Sequence, residues 1–539
     1  LKWASPALAK QVIPAANLYV ARLSTTVTPT VPYARTDYDA LGRVKTETAP
    51  DGTQMRHWYV TDTNATLGYT PTNLMLHSTA DPNNHSKHYV SDALGRQVKV
   101  RELERTVGET YTLLSETGYG YDAGDRLTTV TDTVGNVTSI AYDALGRKVG
   151  MNDPDMGNWS YGYNALGQLS SQTDALGQTQ VFTYDSLGRM TGKGVGGASP
   201  SRLASYLYDQ GANGIGRRAR MTDTTGYAAW AYDPRGRVIT TTKQINPNPV
   251  AYVTKFGYDD ANRVITMSYP GGDVVTNTYD LAGQPNSLYA AGSALVKSAA
   301  YNALGASTRV SFGNGLDKVN AYFGLEFNPG QAQSFGRLRN TCVIAIGQAC
   351  LDMTGTALFN TAYAYNKVGN VTAITDVIHA DRANAGYDAL DRLVTFRQDA
   401  SLTTTLPTIS ETYSYNAIGN LTGRFGVGGT GAITYPSAGS ARPHAATGAG
   451  LNSYVYDQNG NMTVRREMSG TELLVYTQTW SIDNRLIGVT KALTSGAVLA
   501  QTRYFFDGDG VRVRKDDPDG TTLYAGPVEQ TIGPGGTAT

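Results

Sequence analysis

The stretch YDALGRKVGMNDPDMGNWSYG, residues 142–162, shows how this chain is built. It opens with Tyr-Asp, continues at once with Gly-Arg, and carries a second turn-like run from Asp153 to Gly157. Tyr163-Asn then opens the next stretch, and the pattern begins again. A pattern that returns in this way indicates an internal repeat rather than a single reactive site.

Tyr-Asp pairs occur far more often than composition predicts. Ten are present, whereas the Tyr and Asp frequencies would give roughly two by chance, so a repeat is the better account. In the most regular part the units open at 121, 142, 163 and 184, a spacing of 21 residues (142 − 121). The Tyr-Asp pairs begin at residues 38, 121, 142, 184, 208, 232, 258, 279, 387 and 456, and Tyr-Asn takes the same place at 163, 301, 365 and 415.

Each unit contains two turns of the form Asp-x-x-Gly. The Asp carboxylate can accept a backbone N–H two residues on, and Gly adopts a positive φ at little cost. Between the turns lie about six residues rich in Thr, Val, Tyr and Ser that often alternate, as in residues 179–184. Each unit therefore predicts one β-hairpin.

A row of such hairpins predicts an all-β fold, a repetitive antiparallel β-hairpin ribbon. A single hairpin is marginal in water, but in a row each hairpin covers its neighbour's edge. The chain has 35 Tyr against 11 Phe. We expect these rings to line a wall that is dry at the ring and wet at the hydroxyl.

Composition excludes several classes of function. The 45 basic and 45 acidic residues balance, so nothing indicates nucleic acid or an anionic membrane surface as a partner. No apolar run approaches about 18 residues, so no membrane span is predicted. The chain starts with Leu and lacks an intact signal peptide, so we expect a mature or trimmed piece of a longer protein.

The departures from the repeat suggest four segments, and the only helix candidate is Pro6 to Val20. The segments are an N-terminal lead-in (1–37), YD-repeat β-hairpins (38–307), an irregular insertion with both cysteines (308–364) and further YD repeats (365–539).

Two cysteines are too few for a disulfide framework. Cys342 and Cys350 bracket a short span that contains a Gly, so a disulfide could close a small hairpin in an oxidising compartment. The sequence does not distinguish a disulfide between the two cysteines from two free thiols.

Other patterns that could carry chemistry are better interpreted as turns or loops. Asp507-Gly-Asp-Gly510 resembles a calcium loop but lacks the EF-hand spacing and its helices. Residues 426–431 match GxGxxG without a following helix. His85 and His88 lack a completing ligand set, which favours a polar loop. We therefore predict no catalytic residue, no cofactor and no metal.

The residues expected to matter are those of the repeated turns, because a catalytic residue need occur once whereas a turn residue recurs with its unit. They are Tyr38, Asp39, Gly42, Tyr121, Asp122, Tyr142, Asp143, Gly146, Tyr163, Asn164, Gly167, Tyr184, Asp185, Gly188, Tyr232, Asp233, Gly236, Tyr258, Asp259, Tyr279, Asp280, Tyr387, Asp388, Tyr456 and Asp457.

The motif Tyr-Asp-x-x-Gly-Arg, as at 142–147 and 184–189, closely resembles the YD repeat of Rhs proteins. That family includes bacterial polymorphic toxins, the cocoon-forming subunits of Tc toxin complexes and the animal teneurins. Residues 441–526 resemble the late part of an Rhs core, with ARPHAAT, YVYDQNGNMT and YFFDGDGVRVRK. The resemblance implies a ribbon wound into a hollow shell, which in toxin members encloses a C-terminal effector that aspartyl self-cleavage releases.

The sequence departs from that pattern at its end, since it stops before the terminal core segment and before any effector. The closest match to a DPxG cleavage signature, Asp517-Pro-Asp-Gly520, lies between strand-like runs and is interpreted as a hairpin turn. No protease residue is assigned.

Two functions from different classes follow. The first is a non-enzymatic shell, secreted or at the cell surface, that encloses or displays a C-terminal toxin or effector polypeptide. The alternative is a surface adhesion or structural protein without cargo, whose partner would be a surface glycan or another copy of itself.

Overall fold

The computed structural model describes residues 2–4, 34–63, 72–105, 111–197, 201–324, 336–348, 357–399, 408–426 and 428–535. Throughout these ranges the chain forms strands joined by turns. No helix long and apolar enough to cross a bilayer occurs in this part of the chain.

The described ranges contain 43 strands, most of them five to nine residues long, as expected for short alternating runs between turn residues. They are β1 (Lys2–Ala4), β2 (Ala34–Tyr38), β3 (Val44–Thr48), β4 (Gln54–Thr61), β5 (Met75–Ala80), β6 (Ser86–Ser91), β7 (Gln97–Arg105), β8 (Tyr111–Tyr121), β9 (Leu127–Thr131), β10 (Val137–Tyr142), β11 (Lys148–Asp153), β12 (Gly157–Tyr163), β13 (Leu169–Thr173), β14 (Thr179–Tyr184), β15 (Met190–Val195), β16 (Ser201–Tyr208), β17 (Arg218–Asp223), β18 (Gly226–Tyr232), β19 (Val238–Ile245), β20 (Ala251–Tyr258), β21 (Val264–Ser268), β22 (Val274–Tyr279), β23 (Pro285–Ala290), β24 (Ser293–Tyr301), β25 (Ser307–Phe312), β26 (Leu316–Tyr322), β27 (Leu338–Ala345), β28 (Phe359–Tyr365), β29 (Val371–Asp376), β30 (Asp381–Tyr387), β31 (Leu393–Gln398), β32 (Ile409–Tyr415), β33 (Leu421–Gly426), β34 (Gly431–Thr434), β35 (Gly448–Ala449), β36 (Asn452–Tyr456), β37 (Met462–Ser469), β38 (Glu472–Trp480), β39 (Leu486–Leu493), β40 (Val498–Phe506), β41 (Arg512–Asp517), β42 (Gly520–Ala525) and β43 (Val528–Ile532).

Strands that are neighbours in sequence pair antiparallel, which makes the chain a ladder of hairpins. β10 pairs with β11, with Ile140 opposite Met151, and β11 pairs in turn with β12, with Met151 opposite Trp159. β11 thus has its edge groups covered by the strand before it and the strand after it. The predicted all-β ribbon of antiparallel hairpins is confirmed.

The ladder shifts register at the tyrosine that opens each unit. The shift falls between Ala141 and Tyr142 on β10, and again at Tyr163 on β12 and Tyr184 on β14. A bulge of this kind bends the strand and redirects a side chain. It therefore recurs at the residue whose side chain reaches back to the preceding unit, as described below.

The chain divides into two compact units, each built from ribbon stretches that lie far apart in sequence. Unit 1 comprises Leu1–Gly120, Thr131–Thr133 and Thr278–Gly431, and unit 2 comprises Tyr121–Val130, Val134–Asn277 and Ala432–Thr539.

Unit 2 contains two small hydrophobic clusters. One joins Ile245 and Tyr252 to Val513 and Leu523, so it packs an early stretch of ribbon against a late one. The other is built from neighbouring strands around Ala204, Tyr206, Met221 and Ala228. Burial of apolar side chains thus holds together parts of the chain that no hairpin connects.

The sequence also predicted one helix and a division into four segments. The helix candidate Pro6 to Val20 lies outside the described residues. The described part of segment 308–364 contains strands of the same ladder, with β26 pairing β27 from Leu316 opposite Ala345 onward. The four segment boundaries stay predictions.

Candidate functional site: the repeated turns and the unit 2 seam

The carboxylate of Asp143 closes the turn that it begins. Its Oδ1 accepts the backbone N–H groups of Leu145 and Arg147, each at 2.9 Å, and its Oδ2 accepts Nε of Arg147 at 2.7 Å. The backbone N–H of Arg147, and after it the guanidinium, holds the pKa of Asp143 below its usual value. The same Arg Nε to Asp Oδ2 bond joins Arg43 to Asp39, Arg96 to Asp92, Arg126 to Asp122, Arg189 to Asp185, Arg237 to Asp233, Arg263 to Asp259 and Arg392 to Asp388.

The fourth turn residue has a left-handed backbone. Gly146 has a φ of 80°, and its N–H donates to the Asp143 carbonyl at 3.0 Å. Asn262 (φ 64°), Asp125 (φ 61°) and Asp391 (φ 59°) occupy the same place in other units. Gly adopts this conformation without the steric cost that a Cβ brings, and Asn and Asp tolerate it best among the other residues.

The motif tyrosine links its unit to the one before. The Tyr142 hydroxyl donates to the backbone carbonyl of Leu127 at 2.9 Å, and Leu127 is the first residue after the preceding turn. The same hydroxyl-to-carbonyl bond joins Tyr163 to Lys148, Tyr184 to Leu169, Tyr208 to Met190, Tyr232 to Arg218, Tyr258 to Val238, Tyr301 to Pro285, Tyr322 to Ser307, Tyr365 to Leu338, Tyr387 to Val371, Tyr415 to Leu393 and Tyr456 to Ala446.

The motif arginine covers the ring of that tyrosine. The Arg126 guanidinium lies 5.3 Å from the Tyr142 ring centroid, and its Nη1 donates to the Asp143 carbonyl at 2.9 Å. Arg147 lies 4.8 Å from the Tyr163 ring in the same way. A cation above an aromatic face is stabilising, so Asp, Arg and Tyr of successive units form one chain of contacts.

The tyrosine hydroxyls of these residues each donate to a carbonyl of the neighbouring unit. The expectation that these hydroxyls face water stays a prediction. Sequence reasoning also missed the Arg-over-Tyr contact. The signal was present, since the turn Arg and the following unit's Tyr recur together, as at Arg126 and Tyr142 or Arg147 and Tyr163.

A second set of contacts joins the early and late ribbon stretches of unit 2, and we call it the unit 2 seam. Asp483 accepts Lys193 Nζ at 3.0 Å and Gln180 Nε2 at 2.5 Å, although Gln180 precedes it by 303 residues. Arg218 donates through both terminal nitrogens to Asp509, at 2.9 and 2.7 Å. Paired, bidentate geometry of this kind is the stronger form of an ion pair.

Two glycines let the seam close. A Cβ on Gly508 would lie 2.5 Å from the Ala204 Cβ and 3.1 Å from the Met221 Sδ. At this position the Gly508 carbonyl accepts the Tyr206 hydroxyl at 2.9 Å, and burial raises the pKa of that hydroxyl to about 12. A Cβ on Gly157 would lie 2.8 Å from the carbonyl oxygen of Gln458 on the late stretch. Both glycines are required for close approach.

The calcium-like run 507–510 is a turn of this seam. Asp507 caps its turn by accepting the N–H groups of Asp509 and Val511, at 3.1 and 2.9 Å, and its second oxygen accepts Lys243 Nζ at 2.8 Å. Its carboxylate is thus shared between backbone and an ammonium, and the Asp509 carboxylate is held by Arg218. These partners supply the positive charge that a calcium ion would bring.

Unit 1 buries a charged network that the sequence did not predict. Arg101 is fully buried, and it donates to Asp62 Oδ2 at 2.9 Å and to Glu116 Oε2 at 2.6 Å. Lys99 completes the network at Glu116, 2.6 Å away. Charges are buried at this depth when they are paired and hydrogen-bonded.

The expectation of a polar loop is wrong for His88, which lies on β6 with 4% of its surface exposed. Burial, with a smaller contribution from the Arg101 charge, lowers the pKa of His88 to about 4. His85 ends the turn that begins at Asp81, so it does lie between strands. Sequence reasoning failed because residues 85–90 alternate weakly, and what buries His88 comes from other strands.

The remaining predicted positions are placed as follows. Asp517 pairs directly with Gly520, so the DPxG-like run is the hairpin turn between β41 and β42. The GxGxxG match lies between the end of β33 and the start of β34. Cys342 is buried and disulfide-bonded, whereas Cys350 lies outside the described residues, so the pairing of the two stays a prediction.

Unit 2 also contains a cavity of about 500 Å³ beside the seam. Apolar side chains such as Ile487 and Phe505 line it, together with hydroxyl and amide groups such as Thr490 and Gln501 and the seam residue Lys193. Such a mixture of apolar faces and a few hydrogen-bonding groups suits a small ligand.

The chain is similar to one protein-family profile and to several solved structures. The family profile described as Teneurin YD-shell matches residues 71–311. The chain is also similar to the solved structures of TcdB2-TccC3-Cdc42 and TcdB2-TccC3, with TM-scores of 0.75 and 0.74 and 18% identity over 94% and 93% of this chain. The Tc holotoxin pore of Photorhabdus luminescens gives a TM-score of 0.74 at 18% identity over 93% of the chain.

The chain spans only about a quarter of these structures' own chains, 27%, 27% and 26% respectively. At this identity the likeness concerns the fold. No curated protein sequence matches the chain.

Proposed function

We propose that the chain is a YD-repeat shell segment that encloses or displays a C-terminal toxin or effector polypeptide, since a YD-shell profile matches residues 71–311 and the fold is that of the TcdB2-TccC3 structures. The proposed role is non-enzymatic, and the effector lies outside this sequence. The observation that carries the proposal is the shared fold, which covers 94% of the chain at a TM-score of 0.75 to a TcdB2-TccC3 complex.

The chemistry of the repeat supports a scaffolding role. The Asp143 carboxylate is engaged by its own turn, the Arg147 guanidinium by that carboxylate and the next tyrosine, and the Tyr163 hydroxyl by a carbonyl. Groups whose hydrogen bonds are made within the ribbon stabilise the ribbon and are not positioned to act on a substrate. The proposal therefore assigns the function to the surface that the ribbon builds.

A second support comes from another similar structure, that of TcdB2-TccC3 without its hypervariable C-terminal region. The complete complex thus has a variable C-terminal region in addition to the part that this chain resembles. A polypeptide of this kind is the cargo that we propose here, and a secreted or cell-surface location follows from the proposal.

The test is mass spectrometry of the protein purified from its natural, full-length gene, first under native and then under denaturing conditions. A smaller polypeptide that travels with the chain natively and separates on denaturation supports an enclosed cargo. Trypsin should leave that polypeptide intact until the sample is denatured. A single chain without a companion, or a companion cut as fast before denaturation as after it, contradicts enclosure.

The alternative, a surface adhesion protein without cargo, is favoured by the cavity beside the unit 2 seam. Its Thr, Gln and Tyr side chains suit a sugar, since rings stack on a pyranose while hydroxyl and amide groups bind its hydroxyls. A glycan array distinguishes the two proposals. Binding that Tyr504→Ala abolishes, in a protein without a companion polypeptide, supports adhesion.

A further inference from the structure

Two turns of unit 1 bring together a histidine and two carboxylates. Asp81 and His85 belong to the turn between β5 and β6, and Asp391 belongs to the turn between β30 and β31. One nitrogen and two oxygens from these side chains all lie within 4.8 Å of one another. Asp391 is about 300 positions from Asp81 and His85 in the chain, so only the tertiary structure brings it to them.

The His85 Nδ1 is buried and has no hydrogen-bond partner among the described residues. It lies 3.4 Å from Asp81 Oδ2 and 4.0 Å from Asp391 Oδ1, which exceeds the length of an N–H to oxygen hydrogen bond. A buried nitrogen without a partner is costly, so a group that fills this gap would be stabilising.

Asp391 Oδ1 also accepts a hydrogen bond from Asn370 Nδ2 at 2.7 Å, and a carboxylate oxygen keeps a further lone pair with which it can bind an ion. Asp81 uses its other oxygen, Oδ1, to accept the His85 N–H at 2.8 Å. Of the nearby cations, Arg392 Nε donates to Asp388 at 2.8 Å and Lys87 pairs with Glu102 at 2.7 Å, while the Lys87 charge is also attracted to Asp391.

We propose that Asp81, His85 and Asp391 form a binding site for a zinc-type divalent cation. Zinc bonds to imidazole nitrogen and carboxylate oxygen are about 2.0–2.2 Å, and two such ligands at a tetrahedral angle lie about 3.4 Å apart. The His85 to Asp81 separation has this value. Asp391 Oδ1 lies 4.0 Å from the same nitrogen and completes the set after its side chain moves closer.

Imidazole with carboxylates selects a transition-type cation over calcium or magnesium, which prefer oxygen ligands alone. Three protein ligands leave a fourth position for water. His85 and Asp391 also line a cavity of about 410 Å³ together with Glu104, which has room for that water. The bound ion would tie two turns of unit 1 to each other.

The competing explanation is an ion pair, in which a protonated His85 is attracted to both carboxylates without a metal. The repeat itself supplies a variant that separates the two. Asp391 stands where Gly146 stands in its unit, so Asp391→Gly removes a ligand while it relieves the positive-φ position. Asp125→Gly makes the same exchange at the same turn position of unit 2, outside the cluster, and is the matched control.

The experiment measures zinc binding to the chelator-treated full chain by isothermal titration, with thermal unfolding in zinc chloride, calcium chloride or chelator. We expect wild type and Asp125→Gly to bind one more zinc per chain than Asp391→Gly, and His85→Gln to weaken that site at least about tenfold. Zinc should raise the unfolding temperature of the first two only. Zinc that binds to other histidines binds equally to wild type and to Asp391→Gly. It therefore does not affect the difference in zinc stoichiometry between the two proteins.

Equal zinc binding by wild type and Asp391→Gly would overturn the proposal in favour of the ion pair. Calcium that binds as tightly as zinc would overturn the choice of cation. Cobalt(II) in place of zinc gives a second readout, since its visible absorption reports the ligand set, and His85→Gln should change that spectrum. None of these outcomes depends on whether the chain carries a cargo.

Discussion

The hydroxyl of Tyr142 donates a hydrogen bond of 2.9 Å to the backbone carbonyl of Leu127, 15 residues earlier in the chain. The bond joins one hairpin unit to the next outside the strand ladder. Since Arg126 also covers the Tyr142 ring, a single tyrosine carries both a polar and an aromatic link between units. The tyrosine of the motif is therefore a connector between repeats.

Tyr163→Phe should destabilise the chain because it removes the hydroxyl that donates to the Lys148 carbonyl at 2.7 Å. Phe keeps the ring under Arg147, so the loss reports the hydrogen bond alone, about 1 kcal/mol in the free energy of unfolding. Urea titration measures it. Tyr161→Phe on the same strand is the control, because no hydrogen bond of its hydroxyl occurs among the described residues; equal losses in both variants would contradict the connector role.

Gly146→Val should destabilise the turn by roughly 1–2 kcal/mol, because φ is 80° and a β-branched residue resists that conformation. The space around Gly146 is not the obstacle, since the nearest atom to an added Cβ lies at 3.8 Å. Gly146→Asn should cost clearly less, as Asn262 already holds this position in its own unit. Thermal unfolding of both variants checks the order, and an Asn variant as unstable as the Val variant would refute the backbone explanation.

Gly508→Ala should loosen the unit 2 seam by steric overlap with Ala204 and Met221. We expect a loss of about 1–3 kcal/mol, the usual cost of overpacking. Gly271→Ala is the matched control, because an added Cβ there meets nothing within 4 Å. Denaturant titration of both variants measures the difference in the free energy of unfolding. A Gly508→Ala protein as stable as the control would contradict the prediction, because the seam would then accommodate the added methyl group without cost.

Acidification should destabilise unit 1 through His88, whose pKa burial lowers to about 4 from an ordinary value near 6.5. Between pH 6.5 and 4 the His88 imidazole binds a proton in the unfolded chain but not in the folded chain. The free energy of unfolding therefore falls as the pH falls through this window. His88→Gln should flatten that part of the curve of unfolding free energy against pH. An unchanged slope in the variant would contradict the assignment.

His379 should affect the pH dependence of stability in the direction opposite to His88. Its hydrogen bond with Asp376, at 2.7 Å, raises the pKa of His379. That contribution is present at low pH and is lost as pH rises through the raised pKa. His379→Gln should therefore change the slope in the direction opposite to His88→Gln.

The hairpins follow from the amino-acid sequence alone, because their causes are local. Asp143 and Gly146 act within one turn, and the alternation of strands such as residues 179–184 needs only near neighbours. An all-β ribbon with turns at the Tyr-Asp motifs could therefore be predicted residue by residue. The Tyr142 link to Leu127 spans one repeat, and its signal lay in the recurrence of Arg and Tyr.

Which distant turns meet depends on the tertiary structure. Gln180 reaches Asp483 across 303 residues, and His85 approaches Asp391 from another stretch of ribbon. No local pattern encodes such a partner, because small twists at each bulge add up along many hairpins before two stretches come into contact. The seam of unit 2, the burial of His88 and the proposed cation site all depend on that accumulated geometry.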